Sequence, residues 1–276
     1  MGLVCLTAFH QAQAAEHVLY DASKFPAKGT VITETETMAM TECAMVMEMQ
    51  GQKMNGSMTR NGEAIKVATI DSDTQITVVV QKDSSVGSVT MMGQQQPAKE
   101  EKEPLHGQTV ILTKAEGKWT GKLKEGEATE KQQKKIDKLV KKYNGESDAK
   151  HIYGTTPRKV GDSWDVDPSK VSSFGNGDQK LAGTYKVTFK GIEKFQGDDC
   201  AVLVADIDVT GATGDGDMKM NVKGQFRVLR SLKHLIDLEK KMQGKMKMNG
   251  TINKGAGTMG ITGPMTATEK AEVKLP

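Results

Sequence analysis

The sequence is poor in the residues that usually build rigid cores and catalytic sites. Aromatic residues make up only 4% of the 276 residues. Lys and Arg total 38 against 35 for Asp and Glu, and a net charge of +3 is too small to indicate nucleic acid as a partner. No apolar run reaches the roughly 18 residues that a membrane-spanning helix needs. We therefore expect no nucleic acid as a partner and no transmembrane span.

Catalytic motifs are also absent. The five histidines show no metal-ligand spacing, and neither HExxH nor GxSxG occurs. A literal GxGxxG at positions 255–260 precedes a threonine-rich segment instead of a helix, so it lacks the helix N-terminus that binds phosphate. We therefore expect no enzyme activity, no metal bound by His or carboxylate groups, and no cofactor.

The first 14 residues are typical of a secretory signal peptide. An apolar run from Leu3 to Phe9 precedes the small-residue pattern Ala12-Gln13-Ala14. No Lys or Arg precedes the apolar run, so we interpret this signal as truncated. We expect a periplasmic or secreted protein, in which residues 15–276 form a single β-rich domain.

Two cysteines remain beyond the signal region, Cys43 and Cys200. In an oxidising compartment they could form one long-range disulfide. The alternative is a pair of buried free thiols, which are common core residues.

Most of the chain alternates short β-branched runs with turn residues, a pattern typical of antiparallel strands. Asn61-Gly62 and the similar Asn55-Gly56 and Asn249-Gly250 pairs are hairpin-turn signals. One segment, about 127–143, instead has a helical apolar stripe, with Thr129 and Gln132 placed as a capping box and Asn144 at its end. The prediction is a mainly β fold: a large, curved, half-barrel-like antiparallel sheet whose two halves are joined by one amphipathic helix packed on it.

Methionine is the most unusual feature, with 17 residues in the chain. Met-x-Met phrases recur in three strand-like segments, and residues two apart in a strand share a face. Met38 and Met40 have the opposite parity to Cys43, Met45, Met47 and Met49, so a bulge between residues 40 and 43 is needed to bring all of them to one face. The predicted ligand-lining set is Met38, Met40, Met45, Met47, Met49, Met218, Met220, Met246 and Met248.

Three explanations fit these methionines. They could line a deformable apolar site for a lipid-like molecule, bind Cu(I) through their thioethers, or fill an irregular core. We expect a non-enzymatic extracytoplasmic binding protein for an apolar or lipid-like ligand. A cell-envelope structural or interaction module without a small ligand, with an envelope protein as partner, is the first alternative, and Met-based copper binding is the second.

The order of the segments adds a resemblance. The chain resembles a family of uncharacterised secreted bacterial β-rich proteins that share a Pro followed by VGDSW, here Pro157 and residues 160–164. Some members in turn resemble the half-barrel of periplasmic lipoprotein carriers, which hold acyl chains on a concave face under a helical lid. The resemblance implies this fold and lipid carriage by analogy, and it carries over no catalytic residue.

Overall fold

The computed structural model describes residues 15–144, 148–171, 181–213, 218–252 and 255–276. The predicted signal peptide, residues 1–14, lies outside them. Two helices, α1 (Glu130–Tyr143) and α2 (Asp148–Tyr153), and a 3-10 turn at Pro168–Lys170 accompany the strands. The strands are β1 (Val31–Met49), β2 (Gln52–Ser72), β3 (Gln75–Met91), β4 (Gln94–Gln95), β5 (Lys99–Lys102), β6 (Thr109–Ala115), β7 (Lys118–Leu123), β8 (Ser163–Asp165), β9 (Ala182–Phe195), β10 (Asp198–Thr213), β11 (Met218–Ser231), β12 (Asp237–Ile252) and β13 (Gly257–Lys274).

All thirteen strands belong to one antiparallel sheet. Its order is β7-β6-β3-β2-β1-β13-β12-β11-β10-β9-β8, and β4 and β5 pair with β3. The first and last long strands, β1 and β13, pair in its middle and join the two halves. The sheet is open, with β7 and β8 at its edges. The predicted large curved antiparallel sheet is confirmed.

Helix α1 begins and ends as predicted. The Thr129 hydroxyl accepts a bond from the Gln132 amide, and the Gln132 side chain accepts one from the Thr129 amide. At the other end, the Asn144 side chain accepts from the amide of Trp119 and donates to the Trp119 carbonyl at the free edge of β7. The residue that ends the helix therefore also satisfies the edge strand, which would otherwise expose unpaired backbone groups.

The Asn-Gly turn predictions were wrong. Asn61-Gly62 and Asn55-Gly56 lie inside β2, and Asn249-Gly250 lies inside β12. The first hairpin instead turns at Gln50 and Gly51, both with positive φ. Glycine serves here as a residue without a side chain, because a Cβ on Gly56 would lie 2.2 Å from the carbonyl oxygen of Thr90. Close backbone approach, the other common use of glycine in strands, explains Gly56, whereas a Cβ on Gly62 would meet nothing nearer than 3.8 Å.

The long hairpins give the sheet two distinct ends. We call the end that carries the β1–β2, β3–β4, β10–β11 and β12–β13 connections the rim end, and the opposite end the strap end. At the strap end the segment 15–29 crosses from one sheet edge to the other. His17 pairs with Arg158 and contacts the Phe189 ring, whereas Phe25 stacks on Trp119 of β7. This segment therefore links the two edges that the sheet leaves open.

The VGDSW phrase fixes the second helix. The Trp164 indole donates to the carbonyl of Ile152 at 2.7 Å, and the Arg158 guanidinium stacks on the Trp164 ring. The Asp162 carboxylate accepts from the backbone amide of Lys159 at 2.8 Å. The phrase therefore anchors α2 to β8 and has a structural role.

One face of the sheet, which we call the inner face, carries the apolar core. Under α1 it packs aliphatic residues of β2, β3 and β6 against Ile136, and along β9–β12 it forms a larger cluster that includes Phe189 and Leu203. Gly224 and Gly244 are paired on this face, and a Cβ on Gly224 would lie 2.4 Å from the Gln243 carbonyl oxygen. The concave side of the sheet is therefore too crowded here for a side chain.

We predict that Gly224→Ala destabilises the protein, because the new methyl group must push neighbouring strands apart. The expected loss in free energy of unfolding is about 1–3 kcal/mol. Gly191→Ala is the matched control, since its Cβ would meet nothing within 4 Å and the cost should be close to zero. Urea unfolding of both variants measures the difference, and equal stabilities would contradict the crowding.

Candidate ligand-binding surface

The predicted bulge in β1 is present. The register of β1 with β2 shifts between Met40 and Cys43, and Glu42, which lies between them, has a φ of 50°. The bulge restores parity, so the residues of β1 that share the inner face are Glu34, Glu36, Met38, Met40, Cys43, Met45, Met47 and Met49.

Cross-strand register brings the three Met-x-Met strands to this same face. Met220 pairs with Met248, which pairs with Ile261, which pairs with Met45. Paired residues of adjacent strands point to the same side of a sheet. The methionines of β1, β11 and β12 thus form one continuous surface on the rim half of the inner face.

Sequence reasoning missed further methionines of this surface. Met47 is directly opposite Met259 on one side and Met54 on the other, and Cys43 is opposite Met58. Met91, Met242 and Met265 also pack against the same cluster or belong to it. These residues lack the Met-x-Met phrase, so only the pairing of the strands could reveal them.

Burial of the methionines falls from the middle of the sheet toward the rim end. Met40, Met45, Met220 and Met246 are 4–8% exposed and pack within the core. Met47, Met49, Met218 and Met248, nearer the rim end, are half-buried, and so is Met38 on the strap side of Met40. The surface is therefore packed core in its deeper part and an accessible apolar lining near the hairpin ends.

The two cysteines are free thiols, and the disulfide between Cys43 and Cys200 is not formed. Cys43 lies on the inner face among the methionines, with its Sγ 2.4 Å from where a Cβ of Gly263 would be. Cys200 neighbours the inner-facing Ala201 in β10 and belongs to another cluster, with Leu229 and Leu238. Successive residues of a strand point to opposite faces, so the fold separates the thiols, and burial raises the pKa of each.

The strap half of the inner face carries ion pairs that the sequence did not indicate. We call them the polar belt, and they link α1 with four strands. The pairs are Glu34–Lys142 at 2.5 Å, Glu36–Lys66 at 3.0 Å and Lys240–Glu269 at 2.8 Å. The inward position of these charges follows from the pairing register of the strands.

The Glu34–Lys142 pair lies at the border between the core and solvent. The Lys142 side chain is 51% exposed, and that of Glu34 is 21% exposed. Burial would lower the pKa of Lys142, but the charge and hydrogen bond of Glu34, together with Tyr143 and Glu269, raise it overall. The pair therefore connects the last turn of α1 to the start of β1.

A second polar group closes the belt near α2. The Arg230 guanidinium is buried and donates to Asp237 and to the backbone carbonyls of Leu19 and Leu235. The Tyr153 hydroxyl donates to the same Asp237 carboxylate at 2.9 Å. Burial would raise the pKa of Asp237, but Arg230, Lys240 and the Tyr153 hydrogen bond together lower it. This fully paired group joins strap, helix and sheet.

A groove of ≈ 370 Å³ lies on the opposite, outer face of the sheet. Threonine, serine and charged side chains of β1, β2, β3 and β13 dominate its lining, and Met38 is the one member of the predicted methionine set among its lining residues. It therefore meets the methionine surface only at Met38.

The described residues contain no group of three or more His, Cys, Asp or Glu side chains that could hold a metal ion. None of the helices in the described ranges is long and apolar enough to cross a membrane.

Comparison with known proteins gives no family. No family model and no curated protein match the chain. A structure entitled "Lipid-protein interactions in lipovitellin" aligns with 90% of this chain and 26% of that chain, with 8% identity and a TM-score of 0.45. The chain thus spans about a quarter of the lipovitellin chain.

Two further structures align over most of the chain. A DUF1329-family protein from Desulfovibrio piger covers 88% of this chain and 85% of its own, with 9% identity and a TM-score of 0.18. A beta-barrel-like DUF1849 protein from Brucella abortus covers 91% and 100%, with 9% identity and a TM-score of 0.21. At these scores the similarities carry no argument about function, and the resemblance to secreted β-rich proteins stays a prediction.

We predict that Glu34→Gln removes part of the acid sensitivity of folding. The Lys142 charge lowers the folded pKa of Glu34 below its ordinary value of 4.5, so the pair stabilises the protein above that pH and the stabilisation is lost as pH falls through the folded pKa. Because Lys142 is half exposed, the loss at neutral pH should be about 1 kcal/mol or less.

The measurement is urea unfolding of wild type and variant at several pH values from 7 to 3. The difference between them should shrink below about pH 4.5. Glu130→Gln, in the exposed pair with Lys134, is the control and should behave nearly as wild type. A wild-type advantage that grows on acidification would contradict the assignment.

Proposed function

We propose that this protein is a non-enzymatic extracytoplasmic binding protein for an apolar or lipid-like ligand, which lies on the methionine surface. The observation that carries the proposal is the shared inner face of methionines from six strands, half-buried toward the rim end. An apolar lining that is left partly accessible in one connected patch is unusual unless something covers it.

Methionine suits this role because its side chain is unbranched and has three rotatable bonds. It can adjust to ligands of different shape at small cost, which a lining of Phe or Ile cannot do. Four methionines of the surface near the rim end are half-buried: Met47, Met49, Met218 and Met248. A ligand would displace these flexible side chains without moving the strands.

The polar belt favours an elongated ligand that binds in a single orientation. Apolar contacts are available on the rim half, whereas the strap half offers the charges of Glu34, Lys142 and Lys240. An apolar chain would avoid the belt, because it cannot replace the ion-pair partners of these partly buried charges. The chain of the ligand would therefore lie between the belt and the rim end.

Cu(I) binding is a second candidate, and Cys43 is the observation that favours it. This thiol lies among thioethers, directly opposite Met58 and beside Gly263. Thiolate and thioether are both soft ligands that suit Cu(I).

An envelope module without a small ligand is favoured by the tight burial of Met40 and Met45.

Native mass spectrometry of the protein purified from its own host tests these proposals. A bound mass in the lipid range supports the proposed function. Added mass only after incubation with Cu(I) supports the second candidate. A bare polypeptide mass after incubation with both lipid extract and Cu(I) would contradict both ligand proposals and leave the envelope module as the remaining explanation.

We predict that Met47→Gln weakens ligand binding, because it places an amide in the half-buried part of the surface. The expected loss is about ten-fold, since a polar group replaces an apolar contact worth about 1–2 kcal/mol. Val46→Gln is the matched control, because Val46 is the adjacent residue of β1 and faces the outside. Equal effects of both variants on the bound fraction would contradict binding at the inner face.

A further inference from the structure

One arginine interrupts the apolar inner face of β2. Arg60 lies opposite Met40 of β1, and its side chain is 40% exposed. The other residues that β2 places on the rim half of this face are Met54, Gly56, Met58 and Gly62. A charge at the edge of an apolar surface loses part of its hydration, so its position calls for polar partners.

The protein supplies only part of what the Arg60 guanidinium can bind. Its Nε and Nη2 atoms donate to the Ser85 hydroxyl at 3.2 and 2.9 Å, and Nη2 also donates to the Glu101 carboxylate at 3.2 Å. The remaining nitrogen, Nη1, has no partner among the described residues. The Glu101 side chain is 57% exposed and lies on the four-residue strand β5. An ion pair this exposed contributes little stability, so another anion can replace Glu101.

Glycine leaves open space beside the guanidinium. Gly87 of β3 is paired with Arg60 on one side and with Lys99 of β5 on the other, so both cations share the inner face with it. A Cβ on Gly87 would meet nothing nearer than 3.5 Å, and its contacts would include the Arg60 Cγ at 4.0 Å. Lys99 is exposed and has no ion pair within the described ranges. Arg60 and Lys99 therefore flank a position without a side chain, which a small anionic group can occupy.

An accessible apolar path runs from this position to the rim end. Met54 and Met58 of β2 are half-buried, as are Val89 and Met91 of β3, and all four face inward. From Arg60 to the start of β2 the path is roughly 26 Å long, at ~3.3 Å per residue. One acyl chain spans about half of the ~30 Å hydrocarbon core of a bilayer, or about 15 Å. The path is therefore long enough for a single acyl chain.

We propose that the ligand is an anionic amphiphile whose carboxylate or phosphate binds Arg60 and Lys99 and whose acyl chain lies over the methionines of β2. This assignment rests on the proposed function, because it names the class of ligand for the same surface. Charged donors bind carboxylate and phosphate more strongly than neutral donors do, and a guanidinium can bind them with two nitrogens. The Ser85 hydroxyl, which accepts from Arg60, still has a proton to donate to the same group.

Binding of three lipids that share a palmitoyl chain tests the assignment. They are 1-palmitoyl lysophosphatidic acid, palmitate and 1-monopalmitoylglycerol, which is the first lipid without its phosphate. Titration calorimetry of the purified protein should give about ten-fold tighter binding of an anionic lipid than of monopalmitoylglycerol. A preference for lysophosphatidic acid indicates a phosphate head group, and a preference for palmitate indicates a carboxylate. Equal affinities for all three would overturn the assignment but leave the proposed function, whereas binding of none would contradict both.

Two variants at the ion pair should change binding in opposite directions. Arg60→Gln should weaken binding of the anionic lipid about ten-fold and leave monopalmitoylglycerol binding unchanged. Glu101→Gln should tighten binding of the anionic lipid about two- to five-fold, because it removes the carboxylate that competes for Arg60. An ion pair with only a structural role predicts no such gain, so unchanged or weaker binding by Glu101→Gln would overturn the assignment.

Lys82→Gln is the matched control for the loss of charge. Lys82 lines the outer groove, is 42% exposed and pairs with Glu63 at 2.6 Å, so the variant removes one positive charge from a similar ion pair on the other face. It should bind the anionic lipid as wild type does. If it weakens binding as much as Arg60→Gln does, net charge decides the affinity and the position of Arg60 does not.

Discussion

The structure depends on the need to bury one face of a single sheet that has no second sheet to pack against. The two halves pair through β1 and β13, so the inner faces of both halves are continuous and must shield each other. Crowding on the concave side follows, and it explains why Gly224, Gly244 and Gly263 occupy positions where a Cβ would meet backbone or Cys43. The glycines on the inner face thus let the sheet curve toward this side.

The interior is filled in two chemically different ways. The strap half is closed by segment 15–29, α1 and α2, and it holds the polar belt together with the buried Arg230–Asp237 pair. The rim half has few polar groups and is filled with methionine. Charged pairs need fixed geometry and elements that hold them, whereas thioether side chains adapt to many packing geometries.

The proposed binding role follows from this division. The methionine surface continues to the rim end, where Met47, Met49 and Met218 are half-buried. Under the proposal a ligand enters from the rim end, because segment 15–29 links the sheet edges at the strap end.

The sequence by itself determined the local features. Alternation within strands predicted an antiparallel sheet, Thr129 and Gln132 predicted the helix start, and the parity of Met38 and Met45 predicted the bulge, because each depends on neighbours within a few residues. Only the tertiary structure decided that Asn61-Gly62 lies within a strand, that Cys43 and Cys200 lie on different faces, and that Glu34 faces inward to Lys142. Those outcomes depend on which strands pair and in what register, and register is set by contacts between residues far apart in the chain.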